Sequence, residues 1–219
     1  MLPLRPCTLR EEDHRYVWDS TGEEMGISVT GVINADKPPY SGPEEAGWRG
    51  THVHRQMQAL ACGNALLNPM SPEGIDCTAW FNQLEAMTFW NEIQTLACEF
   101  TMVHRRKSLG GQLDLLVKHT SPRTGQTRTI LVDLKTKSDR WTGASKEDRY
   151  SYAAQAGAYG YLLDSGDSAQ GGCWVDECRT LVVTPNATKW LSKMDPLDCY
   201  LAWEERWDSY CAGRSLTPF

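Results

Sequence analysis

The chain has 219 residues, of which 41% are apolar, enough for one sizeable core, and a single domain over 1–219 is expected. Its net charge of −6 and pI near 5.4 argue against bulk attraction to nucleic acid or an anionic membrane, leaving only a local basic groove as a route to such partners. Eight scattered cysteines without a Cys-x-x-Cys pair, a start without an apolar leader and the lack of any membrane-length apolar window predict reduced thiols in a cytoplasmic protein with no membrane partner.

In chain order, 15–20 and 24–30 flank a Thr-Gly turn and predict a small hairpin; "SVTGVINA" then reads as a short helix entered through Ser28 or Thr30 and ended by "KPP". Trp48, Val53, Met57 and Leu60 recur at helical spacing over 45–62, and Trp80, Leu84, Met87, Trp90 and Ile93 repeat the pattern over 79–96. Loops are predicted at 35–47, 63–76 and 164–172, where Gly, Pro and Ser cluster. The period then changes: 98–104, 111–119 and 128–136 read as three strands of an antiparallel meander, separated by turn-rich segments. A helix over 146–165, a fourth strand over 178–185 and a helix over 195–213, opened by Asp195 with Pro196 at its first position, complete the pattern. The domain thus divides into an N-terminal part (15–96), a central meander and helix (97–165) and a C-terminal strand and helix (178–213).

Alternation puts Asp133 and Lys135 on one face of their strand and Val132 and Leu134 on the other. Asp114 interrupts "QLDLLV" in the same way, and Glu99 sits near the start of the preceding strand. Several carboxylates in otherwise apolar strands require compensation, and for an acidic cluster the usual compensation is a bound cation. A lone Asp-x-Lys is most often a solvated edge; four ionisable groups in this order on consecutive strands are far more specific.

Glu99, Gly111 with Asp114, Asp133 with Lys135, and Gln155 with Tyr159 resemble the motifs of the PD-(D/E)XK nuclease superfamily, in its RecB-like branch. "RGTHVH" (49–54) is similar to the Gly-Thr-x-x-His helix of that branch, and "ISVTGVI" (27–33) to a segment of mitochondrial genome maintenance exonucleases and related phage enzymes. The resemblance covers about residues 15–165. It implies an α/β (α+β) fold with a restriction-endonuclease-like core, a mixed sheet of about four or five strands flanked by helices. It further implies a metal-dependent DNA nuclease, an exonuclease on single-stranded DNA ends in recombination, repair or phage DNA metabolism; an endonuclease of the same fold and a silent DNA-binding module are the alternatives.

Carried over residue by residue, the resemblance makes Asp114 and Asp133 metal ligands, with Leu134 adding its backbone carbonyl. Glu99 binds through water or at a second metal, and His54 is a further ligand. Mg²⁺ suits the carboxylates, and an imidazole ligand makes Mn²⁺ a good alternative. Lys135 is expected to orient the attacking water and stabilise the transition state, while Gln155 and Tyr159 either face the DNA backbone or pack a helix. Ser28 and Thr30 fit a phosphate-binding helix start or ordinary caps. Lys137 and Arg140, with Trp141 among them, follow the active-site strand and suit single-stranded DNA, as does the basic turn at 105–107. Cys173 and Cys178 have four residues between them, so no iron–sulfur cluster is expected. His52, on a different helix face from His54, is expected to be structural.

Overall fold

The computed structural model describes residues 2, 6–10, 12–38, 42–167, 174–212 and 214. Cys173 and parts of the loops predicted at 35–47 and 164–172 lie outside them. Strands β1 (Cys7–Arg10), β2 (Arg15–Trp18) and β3 (Glu23–Glu24) form a small antiparallel sheet, so the expected hairpin gains a third strand. Gly22 turns β2 into β3 with φ +70°, a conformation that favours glycine. Strand β4 (Ile27–Ser28) leads into helix α1 (Val29–Ile33), whose first turn is capped by the Ser28 hydroxyl accepting from the Gly31 N–H at 2.9 Å.

Helix α2 (Glu44–Cys62) ends on Gly63 in the left-handed conformation, and helix α3 covers Thr78–Glu85. The helical spacing predicted over 79–96 does not survive past Glu85. A 3₁₀ turn occupies Thr88–Asn91, and strand β5 (Ile93–His104) begins five residues before the predicted strand. Pairing outweighs periodicity here: Ile93, Gln94 and Thr95 are in register with His119, Lys118 and Val117, while the Trp90 indole N–H takes the carbonyl of Leu84.

Strands β6 (Leu109–Thr120) and β7 (Thr127–Thr136) complete the antiparallel meander. Helix α4 (Lys146–Ser165), opened by a Ser145–Asp148 capping box, crosses over to β8 (Glu177–Val183), which runs parallel to β7. A short β9 (Thr188–Trp190) pairs with β8, and helix α5 (Pro196–Cys211) starts with Asp195 accepting from the Leu197 N–H. The result is a mixed six-stranded sheet flanked by helices; the small strands β4 and β9 extend the expected four or five.

Two cores sandwich this sheet. On one face Val53, Met57, Phe81 and Leu84 of α2 and α3 pack on Leu115, Val117, Val132 and Leu134. On the other, Ala154, Ala158 and Leu162 of α4 and Trp203 and Trp207 of α5 pack on Leu113, Leu116 and Leu131. Helices α4 and α5 meet at Gly157, where a Cβ would fall on the backbone carbonyl of Cys199. No helix among the described residues is long and apolar enough to cross a membrane, and the described cysteines are all unbridged.

Candidate metal centre

Register places three carboxylates in one row across the sheet. Cys98 and Phe100 are opposite Leu115 and Leu113, so Glu99 of β5 stands opposite Asp114 of β6. The β6–β7 ladder ends at Leu115 and Val132, and one step further along the same register are Asp114 and Asp133. Both β5 and β6 break alternation at this row: Cys98 and Leu115 belong to the core under α2, whereas Phe100 and Leu113, each two residues away, belong to the core under α4. Glu99 carries the break with φ +45°, a left-handed backbone that costs a non-glycine residue of order 1 kcal/mol. Along one edge of β6, β4 pairs at Leu109–Gly110 and β7 at Leu115–Thr120, leaving 111–114 without a strand beside them. The Asp114 carboxylate lies in that opening, where its Oδ2 accepts from the Leu134 N–H at 2.6 Å. Gly111 lets the opening close from behind, since a Cβ there would come within 2.8 Å of Val29 and 3.2 Å of the Tyr159 ring.

His54, on α2, points into this row. Its Nδ1 stands 3.5 Å from Asp114 Oδ1 and 3.7 Å from Glu99 Oε1, and one ligand atom from each of the three residues lies within 4.8 Å of the others. Ligands held about 2.1 Å from an octahedral ion are about 3–4.2 Å apart, so the two measured separations fit a common ion. Glu99 Oε1 and Asp133 Oδ2 are buried with no hydrogen-bond partner among the described residues, which leaves carboxylate oxygens available to a cation. Two carboxylates and an imidazole form a donor set that could hold a divalent cation. His52 is elsewhere: its ring bonds the Asn68 carbonyl and stacks on Phe81, a structural role.

The electrostatics follow from burial opposed by partners. Burial disfavours charge on His54, but Asp114 and Glu99 overcome it and raise the imidazole to about 10. Burial, reinforced by Asp114, pushes Glu99 up. Burial also works against ionised Asp114, yet His54, Lys135 and the Leu134 N–H hold it below the usual carboxylate range. Asp133, with no exposed surface, is raised to about 6 by burial, with Lys135 opposing and Asp114 adding to the shift. The His54 imidazolium thus faces Asp114 and Glu99, as the Lys135 ammonium faces Asp133.

Beside the row runs a chain of hydrogen bonds. Lys135 Nζ donates to Asp133 Oδ1 at 2.9 Å and to Gln155 Oε1 at 2.8 Å, and Gln155 Nε2 donates to the Tyr159 hydroxyl at 2.9 Å. Tyr159 is buried, so it holds Gln155 from behind. The Tyr152 ring lies 5.3 Å from Lys135 Nζ. The Leu134 N–H is committed to Asp114, Ser28 and Thr30 bond each other at the start of α1, and Arg140 is exposed. The basic turn is partly engaged elsewhere, with Arg105 on Glu23 and Trp18 and Lys107 over Trp207.

The sequence placed Lys137, Arg140 and Trp141 past Lys135 but did not show that Arg49, Trp80 and Lys189 gather with Lys137 and Trp141. Arg49 lies over the Trp80 ring at 4.8 Å, the Trp80 indole donates to the Lys137 carbonyl at 2.9 Å, and Lys189 lies 5.7 Å from the Trp141 ring centre. These contacts join α2 to α3, α3 to the end of β7, and β9 to the loop after β7. No local spacing announces such pairs.

No family model and no curated protein matches the chain. Among solved structures, one titled "Crystal structure of SSO0001" is similar at 10% identity over 87% of each chain, with a TM-score of 0.29, too slight a likeness to bear on fold or function.

Proposed function

We propose that this chain is a metal-dependent deoxyribonuclease of the PD-(D/E)XK type, an exonuclease acting on single-stranded DNA ends. The observation that carries the reading is the row Glu99, Asp114, Asp133, met by His54 on one side and by Lys135 on the other. His54, Glu99 and Asp114 are the residues that would hold Mg²⁺ or Mn²⁺, with the free Asp133 Oδ2 next to them. A bound divalent ion would neutralise phosphate charge and make a water nucleophilic near neutral pH.

The chain's own groups do the rest. Asp133 and Gln155 fix the Lys135 ammonium from two directions, leaving its remaining N–H free to donate to the attacking water or to a phosphoryl oxygen as charge develops there. Tyr159 keeps the Gln155 amide in the orientation that presents its oxygen to Lys135. Arg49, Lys137 and Lys189, interleaved with Trp80 and Trp141, offer phosphate contacts and stacking surfaces for an unpaired strand leading to the row. The net negative charge elsewhere disfavours indiscriminate duplex binding.

The test is degradation of end-labelled single-stranded, duplex and circular single-stranded DNA with Mg²⁺, Mn²⁺ or EDTA. The expected result is metal-dependent loss of linear single strands, absent in Lys135→Ala. Cleavage of circles would replace exonuclease with endonuclease, and retained DNA binding without cleavage under either metal would leave a binding module.

A further inference from the structure

On the flank of α4 away from the metal centre, α4 and α5 part beyond their contact at Gly157 and leave a cavity of about 590 Å³. None of the metal-centre residues lines it. Trp174 and Leu197 stand at its rim, 82% and 64% exposed. Three carboxylates, Asp164, Asp176 and Asp195, line it, and among the described residues no lysine, arginine or histidine does. All three are exposed, and two of them accept from backbone N–H groups, Asp176 from Thr129 at 2.7 Å and Asp195 from Leu197 at 2.8 Å. The carboxyl end of α4, at Ser165, adds its negative pole.

The floor is open because of Gly160. A Cβ there would meet nothing within 4 Å, so packing does not require glycine, and a helix-interior glycine costs about 0.5–1 kcal/mol relative to alanine. The walls are aromatic and aliphatic, and the charged side chains among the described lining residues are all acidic. That combination suits a cationic head on an apolar stem, and it repels nucleic acid.

We propose that this groove docks a protein partner through a short peptide segment that carries a lysine or arginine beside an aliphatic residue. The cation meets Asp164, Asp176 and Asp195, its methylene stem lies over Gly160, and the aliphatic neighbour covers Leu197 and Trp174. The volume falls within the range of sites that enclose a few side chains. The inference stands independently of the nuclease reading.

The experiment selects a displayed library of random nine-residue peptides against the full chain and against Gly160→Leu in parallel. Leucine projects into the groove from a Cβ that meets nothing within 4 Å and removes a helix-interior glycine, so the variant should melt no lower than the parent. The expected outcome is enrichment, on the parent only, of peptides with Lys or Arg next to an aliphatic residue. The leading peptide, titrated by fluorescence anisotropy, should bind at least tenfold more weakly to Gly160→Leu and to Asp164→Lys, and unchanged to Asp133→Asn. Enrichment that ignores Gly160, peptides without a cation, no enrichment at all, or equal displacement by spermidine would each overturn the proposal.

Discussion

On the proposed nuclease reading, replacing Asp133 with asparagine should abolish turnover; independently of that reading it should, in EDTA, make the protein more stable at alkaline pH. The Asp133 carboxyl is fully buried and raised from the ordinary 3.8 to about 6. A raised carboxyl binds its proton more tightly in the folded chain, so folding is favoured at low pH and loses stability as pH rises through about 6. Once the group is ionised, two units at about 1.4 kcal/mol each cost about 3 kcal/mol. Asparagine removes that cost. The attraction of Lys135 is already contained in the net rise to about 6, and Lys135 keeps its bond to Gln155. The gain is therefore about 3 kcal/mol near pH 8, or about 6–12 °C in Tm for a chain of this size, shrinking as pH falls below about 6 and vanishing below the ordinary 3.8. Thermal and urea unfolding of both proteins across that range measures it. An equal or lower Tm for Asp133→Asn at pH 8, or a gain that does not change with pH, would refute the buried-charge account.

Metal binding should release a proton, because His54 is charged in the metal-free cluster and must become neutral to act as a ligand. Apparent Mn²⁺ affinity should then rise about tenfold per pH unit from about pH 6 to 9, and calorimetry in buffers of different ionisation heat should count about one proton; none released would mean that His54 is neutral or not a ligand. Two glycine substitutions should move stability in opposite directions. Gly157→Ala forces a Cβ onto the Cys199 carbonyl and should cost about 2–4 kcal/mol, whereas Gly50→Ala on α2 meets nothing within 4 Å and should gain about 0.5–1 kcal/mol, both read by denaturant midpoints.

Local signals sufficed for most elements. Helix α4 announces itself through its alanine-rich run, α5 through Asp195 and Pro196, and β7 through strict alternation that puts Val132 and Leu134 under α2 and α3. They failed from 86 to 96, where the helical spacing gives way to a 3₁₀ turn and then, from Ile93, to pairing with β6, a partner some twenty residues away that no window of residues contains.

The sequence by itself determined which residue types could build a centre of this kind: Asp133 and Lys135 two apart on a strand, Asp114 after Gly111, Glu99 before them and His54 on a helix face. Tertiary structure alone decided how they meet. Period-two reasoning cannot foresee that β5 and β6 both break alternation at Glu99 and Asp114, nor that the gap between β4 and β7 opens at that row. It cannot foresee that α2 brings His54 to two carboxylates while Asp133 turns to Lys135, or that Arg49 settles on Trp80. Strand periodicity is a property of neighbouring residues, whereas register, bulges and helix docking are set by which distant surfaces bury each other best.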